Sequence, residues 1–101
     1  MSETITANIA HQLGRVEAHR RIAEGMDGFA EAIPGGVVSE KRWEEDVAFF
    51  TIEALGQRLG CRLDVMDDVV VATFDLPTLL QPFAGAIRAK LEEYGPRLLE
   101  S

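Results

Sequence analysis

Residues 47–74 decide the fold, and they read VAFFTIEALGQRLGCRLDVMDDVVVATF. Ala48, Phe50 and Ile52 occupy every second position of the opening run, which is the period of a β-strand that buries one face. The run is interrupted at Gly56, and a two-residue turn with this glycine first predicts a type II′ hairpin. The stretch therefore begins with one strand that turns back into a second.

A second turn is predicted at Asp67 and Asp68, because two acidic residues here separate two runs rich in β-branched side chains. With these two residues at the centre of the turn, Met66 faces Val69. The inward side chains of the two strands then form one apolar set: Cys61, Leu63, Val65, Val70, Ala72 and Phe74. A slip of one residue would turn the whole set outward, so the pattern predicts an antiparallel meander with this register.

Further elements are predicted on the N-terminal side of the meander. Residues 3–10 alternate between apolar and polar side chains, which predicts a strand. Apolar residues recur three or four apart over residues 14–33, which predicts one helix. Pro34 and the two glycines after it end this helix, and the segment 34–42 is predicted to be a loop.

A second helix is predicted on the C-terminal side. Pro77 forbids continuation of the strand and suits a first helical turn, while Pro82 allows the regular helix to start later. Gly95-Pro96 predicts the end of the helix. The element order is therefore β-α-β-β-β-α, an antiparallel meander with both helices on one face in a two-layer α+β sandwich. The place of the first strand in this sheet is left open.

The composition predicts one folded domain over residues 1–101. Hydrophobic residues make up 47% of the chain and charged residues 27%, as in globular proteins. Ten Lys and Arg against 17 Asp and Glu give a formal net charge of −7, which repels nucleic acid and anionic membranes. The apolar runs are short and the first ten residues lack a basic segment, so no membrane span or secretory signal is expected. The cytoplasm of a bacterium or an organelle is the expected location.

No catalytic, cofactor-binding or metal-binding residues are predicted. His11 and His19 would point about 80° apart on a helix, so they do not form a metal pair. Cys61 is the only cysteine and lies on the inward parity of its strand, where a thiol packs as a small apolar group. The acidic pairs lie at predicted turns, where solvated charge is their expected role: Glu44-Glu45 and Asp67-Asp68.

The outward face of the meander carries the candidate partner surface. The side chains on it are Val47, Phe49, Thr51, Met66, Val69 and Val71. With both helices on the other face, these residues are exposed unless a partner covers them. A homodimer formed through this face is one solution, and the surface of a larger assembly is another.

Two parts of the chain resemble one family of small bacterial proteins. Residues 11–18, HQLGRVEA, followed by Arg21 and Ile22, resemble the opening of the polyhydroxyalkanoic acid system, or granule-region, proteins. The later residues that match in order are Trp43, Asp46, Phe50, Gly56-Gln57, Gly60, Asp75-Leu76-Pro77, Leu80, Phe83 and Ile87. The family tends to have a small residue in the turn before Asp46, where this chain has Glu44-Glu45. The sequence therefore does not settle how tight this turn is.

The resemblance implies a role at polyhydroxyalkanoate storage granules and supplies no catalytic residues. The leading hypothesis is a non-enzymatic accessory protein that contacts the granule surface or granule proteins. One alternative is a small homodimeric interaction module unrelated to storage polymer. Another is an enzyme with a pocket between the helices and the sheet.

Overall fold

The computed structural model describes residues 3–33 and 35–99, which form a five-stranded antiparallel sheet with helices on one side. The strands are β1 Glu3–Ala10, β2 Val37–Glu44, β3 Val47–Ala54, β4 Gln57–Val65 and β5 Val69–Leu76. The helices are α1 Gly14–Gly25 and α2 Ala84–Leu98, with 3₁₀ segments at Met26–Ala32 and Thr78–Phe83. The strands lie in the order β1-β5-β4-β3-β2. The predicted α+β sandwich is confirmed.

The register of the central meander is the predicted one. Val65 pairs with Val70, and the Met66 amide donates to the Val69 carbonyl at 2.9 Å, which makes Asp67 and Asp68 the turn residues. The inward set of β3, β4 and β5 is buried beneath the helices. Three phenylalanines form the centre of this core, at centroid separations of 5.9–6.3 Å: Phe29, Phe50 and Phe74. Side-chain parity along the strands therefore determined the core.

The position of β1, which the sequence left open, is beside β5 at one edge of the sheet. Ile5 pairs with Phe74 and Ile9 with Val70 in antiparallel register. Ile9 packs against Gly95 of α2, where a larger residue would overlap it. The first strand is thus fixed by β5 and α2, the nearer of which begins 59 residues after β1 ends.

The prediction of a loop over residues 34–42 is wrong for most of that length. β2 begins at Val37 and pairs with β3, which makes it the fifth strand of the sheet. Pro34 lies outside the described residues. The sequence pattern did not predict this strand because the strand lies at the edge of the sheet. Only Val38 and Trp43 reach the core, and a shift in register between Val38 and Glu40 breaks the alternation.

The predicted type II′ turn at Gly56 is also corrected. Ala54 pairs with Gln57, so Leu55 and Gly56 are the two turn residues. Both have positive φ, 53° for Leu55 and 74° for Gly56, as in a type I′ turn. The glycine occupies the second central position, and a leucine adopts the left-handed conformation before it.

The turn before β3 is tight although its residues are large. Glu44 pairs with Val47, which leaves Glu45 and Asp46 as the two turn residues. Glu45 has a φ of 55°. The turn thus keeps the two-residue length by placing a glutamate in the left-handed region.

Both predicted helices have different ends in the structure. The first changes at Gly25 into a 3₁₀ segment, because Gly25 and Gly28 lie against Leu98 and Tyr94 of α2 and admit no side chain there. The second runs through Gly95-Pro96 to Leu98, past the predicted stop. A proline in the last turn removes only one hydrogen bond, and packing on β1 compensates for it.

Candidate partner surface on the outer sheet face

The candidate partner surface lies on the face of the sheet opposite the helices. Ala48, Phe50 and Ile52 of β3 are buried on the inner side, so the alternate residues of β3 point outward. Five members of the surface are half-buried, namely Val47, Phe49, Thr51, Val69 and Val71. Met66, at the β4–β5 turn, is 43% exposed. The structure therefore places all six residues where the sequence predicted them.

Charged side chains on β4 separate the valines of β3 from the valines of β5 on this surface. Asp64 pairs with Val47 on one side and with Val71 on the other, so the two valines do not touch as direct neighbours. The Asp64 carboxylate accepts from Arg62 at 2.9 Å. This hydrogen bond raises the pKa of Arg62, whose guanidinium is charged at any working pH. The surface is therefore an alternation of apolar and ion-paired positions.

Phe49 is the aromatic centre of the surface. It pairs with Arg42 on β2 and with Arg62 on β4, and the two guanidinium carbons lie 4.5 and 5.7 Å from its ring centroid. Such distances allow cation–π attraction on both sides of the ring. Arg42 also binds Glu44 at 2.8 Å. The ring is thus held between two cations whose aliphatic stems extend the apolar area.

A depression lies next to Phe49, above Gly60. Gly60 faces Thr51 across the β3–β4 pair, and the absence of a side chain lowers the surface there. The hollow has a volume of about 500 Å³, and Thr73 and Asp75 form its opposite wall. Asp75 accepts a hydrogen bond from the Thr4 hydroxyl at 3.1 Å. The depression offers apolar, hydroxyl and charged groups within one shallow site.

Sequence reasoning missed the contribution of β2 to this site. Arg42 and Glu44 belong to the segment around the predicted loop, so their alternation with Glu40 on the outer face was not recognised. The signal in the sequence was the spacing of these three charged residues by two. Charged side chains at period two are typical of an exposed edge strand.

His11 is occupied in holding the fold together. Its ring Nε2 lies 3.0 Å from the Met66 carbonyl, and its Nδ1 accepts from the Leu13 amide at 3.2 Å. His19 stacks on Trp43 with the ring centroids 3.7 Å apart. The two histidines therefore contact different elements.

Cys61 lies in the core, as predicted. It is 4% exposed, and its thiol contacts the Leu59 carbonyl at 3.7 Å. Burial raises the pKa of this thiol well above its usual range, and the nearby Asp75 carboxylate adds to the rise. The thiolate, which is the reactive form of cysteine, is therefore disfavoured here.

Arg15, to which the sequence analysis assigned no specific role, forms ion pairs with both acidic turns. Arg15 at the start of α1 lies 3.3 Å from Asp46 and 3.4 Å from Asp67. The predicted acidic pairs Glu44-Glu45 and Asp67-Asp68 are exposed, but Glu44 is the last residue of β2 and pairs with Arg42, so only the other three lie in turns. Within residues 3–33 and 35–99, no three His, Cys, Asp or Glu side chains gather in a way that could hold a metal ion.

Residues 11–18 and Arg21, which resemble the granule-region family, include side chains that connect α1 to other parts of the fold. Glu17 pairs with Arg20 and Arg21, and these hydrogen bonds lower its pKa to about 2. Arg21 also donates to the Leu98 carbonyl at 3.2 Å, which links α1 to the end of α2. The matched residues thus have structural roles that can be read from their contacts.

None of the helices in the described part of the chain is both long and apolar enough to cross a membrane.

Comparison with protein families assigns the chain. The family described as polyhydroxyalkanoic acid system protein (PHA_gran_rgn) matches residues 5–98. No curated protein and no solved structure matches the chain. Since the match includes β1 from its third residue and all of α2, it covers nearly the whole sheet and both helices. The chain therefore belongs to the family of polyhydroxyalkanoic acid system proteins.

Proposed function

We propose that the protein is a non-enzymatic accessory of polyhydroxyalkanoate metabolism that contacts the storage granule through the outer face of its sheet. Membership of the polyhydroxyalkanoic acid system family over residues 5–98 is the observation that carries this proposal. The expected place of action is the cytoplasm, where the granule surface is reached from the aqueous side.

The chemistry of the outer face suits a polyester surface. A polyester presents alkyl groups and ester carbonyls, which accept hydrogen bonds but carry no charge. Phe49, Val47 and Val71 offer apolar contact, while Arg42 and Arg62 offer donors on either side of the phenyl ring. An alternation of this kind can contact both parts of the polymer without burying an unpaired charge.

A role without catalysis is supported by what the reactive side chains do. Cys61 is buried with a raised pKa, and His11 uses both ring nitrogens within the fold. His19 lies flat against Trp43. A nucleophile and a base would have to be within hydrogen-bond reach of each other for covalent catalysis. These three side chains contact different neighbours instead.

The experiment is co-sedimentation of the purified protein with polyhydroxyalkanoate granules. Val71→Lys places a charge in the middle of the outer face, and Val16→Lys is the matched control. Val16 is 86% exposed on α1, so the same substitution there leaves the sheet unchanged. Asp64 lies beside Val71 across the β4–β5 pair, so the lysine puts a hydrated charge next to a carboxylate where an apolar side chain stood. Because contact with the polymer would remove water from that charge, we expect Val71→Lys to weaken granule binding by about tenfold or more. Val16→Lys should bind as the unaltered protein does.

Two granule preparations distinguish the polymer from its coat. Native granules carry their proteins, whereas granules stripped with detergent and washed expose the polyester. Binding to both supports direct contact with polymer, and binding to native granules alone supports contact with a granule protein. Equal sedimentation of the two lysine variants, with both folded by circular dichroism, would contradict the assignment of the outer face.

A further inference from the structure

The two edges of the sheet differ in how they are protected. β2 at one edge carries a register shift and a series of charged residues, namely Glu40, Lys41, Arg42 and Glu44. β1 at the other edge has a continuous register, and its residues 4–10 include no charge and no proline. Edge strands usually carry charge, proline or bulges because open backbone groups invite another strand. We propose that β1 pairs antiparallel with β1 of a second copy of this chain, around a two-fold axis at Ala7.

The backbone of β1 offers alternate residues to such a partner. The His11 amide donates to the Asp68 carbonyl on the β5 side, whereas the Thr6 carbonyl accepts from Arg88 at 3.0 Å on the other side. Since the amide and carbonyl of one residue point the same way in an antiparallel strand, the even-numbered residues face outward. Thr4, Thr6, Asn8 and Ala10 therefore present their backbone groups at the edge.

Helix α2 runs along this edge in the same direction as β1. Arg88 contacts Thr6, and Gly95 lies against Ile9. Seven helical residues rise about 10 Å, which matches the length of about 10 Å for three strand residues. The side of α2 that faces the edge therefore carries residues four apart. These residues are Arg88, Glu92 and Pro96. Together with Thr6–Ile9 they line a groove of about 390 Å³.

The charges on this side of α2 are self-complementary. Glu92 has no ionic or hydrogen-bonding partner among the described residues, and Arg88 contacts only the Thr6 carbonyl there. Arg88 lies level with Thr6, and Glu92, one turn further, lies level with Asn8. With the axis at Ala7, Thr6 pairs with Asn8 of the second copy. Arg88 then meets Glu92 of the second copy, and the symmetry repeats the contact.

Other features of the edge agree with this register. An axis at Thr6 would instead bring the two Arg88 side chains together, so charge favours the axis at Ala7. The Thr6 carbonyl has two lone pairs, and it can accept from Arg88 and from the second copy at once. The resulting ten-stranded sheet would place the two outer faces side by side. The dimer would thus present twice the candidate partner surface in one direction.

The first test measures self-association by analytical ultracentrifugation. Thr6→Pro removes an outward amide and leaves the bonds to β5, and Thr6→Val is the control because it keeps the amide. We expect the unaltered protein and Thr6→Val to sediment as dimers at tens of micromolar, and Thr6→Pro as a monomer. An unaltered protein that remains monomeric at millimolar concentration overturns the proposal, and so does a Thr6→Pro dimer.

The second test uses charge reversal and does not require a change in the strand. Arg88→Glu places two acidic residues opposite each other, and Glu92→Arg places two basic residues there. Two pairs turned from attraction to repulsion should raise the dissociation constant of each variant alone by about tenfold. An equimolar mixture of the two variants should form a heterodimer with the original affinity. If mixing restores nothing while both variants are folded, the antiparallel α2 contact is wrong.

Discussion

His11 makes contacts that link several elements of the fold. Its amide bonds to the β4–β5 turn, its ring bonds to Met66 in that turn, and its other ring nitrogen receives the Leu13 amide at the entry to α1. One side chain thus joins the end of β1 to two other elements. It is 7% exposed, and a buried ring with both nitrogens used has a structural role.

Cys61 provides a test at the residue scale. Cys61→Ala removes one buried sulfur, so we expect a loss of about 1 kcal/mol in the free energy of unfolding. Granule binding should be unchanged, because the side chain points away from the outer face. In the unaltered protein, a thiol reagent should react only at the rate at which the fold opens, since Cys61 is only 4% exposed in the folded state. Denaturant unfolding and thiol titration measure both quantities.

A Cys61→Ala variant that is folded yet inactive in the cell would contradict this prediction. It would restore the hypothesis that the cysteine takes part in chemistry. Rapid thiol labelling under native conditions would count in the same direction.

At the scale of the element, the two tight turns are the places where the local sequence conflicts with the backbone. Leu55 and Glu45 both have positive φ, and neither is a glycine or an asparagine. A residue with a Cβ pays roughly 1–2 kcal/mol in this region. The pairing of β2, β3 and β4 must compensate for that cost. Tertiary structure here overrides a local preference.

Leu55→Asn should therefore stabilise the β3–β4 hairpin. Asparagine followed by glycine is the preferred pair for a type I′ turn, and Leu55 is 52% exposed, so little apolar burial is lost. We expect a gain of about 1 kcal/mol in the free energy of unfolding. Gly56→Ala, at a φ of 74°, should destabilise by a similar amount. A stabilising Gly56→Ala in denaturant melts would show that the turn has a different geometry.

At the scale of the whole molecule, the net charge of −7 bears on how a granule is contacted. A polyester surface carries no charge, so attraction has to come from the apolar and hydrogen-bonding groups of the outer face. The acidic character keeps the protein away from phosphate and from anionic lipid. Under the proposed function, the acidic charge and the granule contact therefore belong to different parts of the surface.

Binding to stripped granules should accordingly depend little on salt. Raising the ionic strength from about 0.1 M to about 1 M shortens the Debye length from about 10 Å to about 3 Å. We expect the dissociation constant to change by less than about twofold, since no ionic attraction is screened. Co-sedimentation over a salt series measures it, with a basic protein as a control for adsorption. A steep loss of binding to stripped granules would contradict an uncharged contact, whereas a steep loss with native granules alone would indicate a cationic granule protein as the partner.

The sequence by itself determined the elements whose side chains are buried on one face. The alternation over residues 47–74 gave the register of β3, β4 and β5, because a shift by one residue would expose every apolar side chain. The same alternation placed Phe49 and Val71 on the outer face and Cys61 in the core. Burial leaves a periodic pattern in the sequence, and these features could be predicted from it.

Only the tertiary structure decided the features that depend on distant partners. β2 has one side exposed and follows no hydrophobic period, so its pairing with β3 was needed to define it. α1 changes at Gly25 because α2, nearly seventy residues later, packs there. β1 lies at the sheet edge because β5 and α2 hold it. Contacts between distant residues leave no periodic pattern in either partner, and for this physical reason the two edges and the helix ends had to come from the fold.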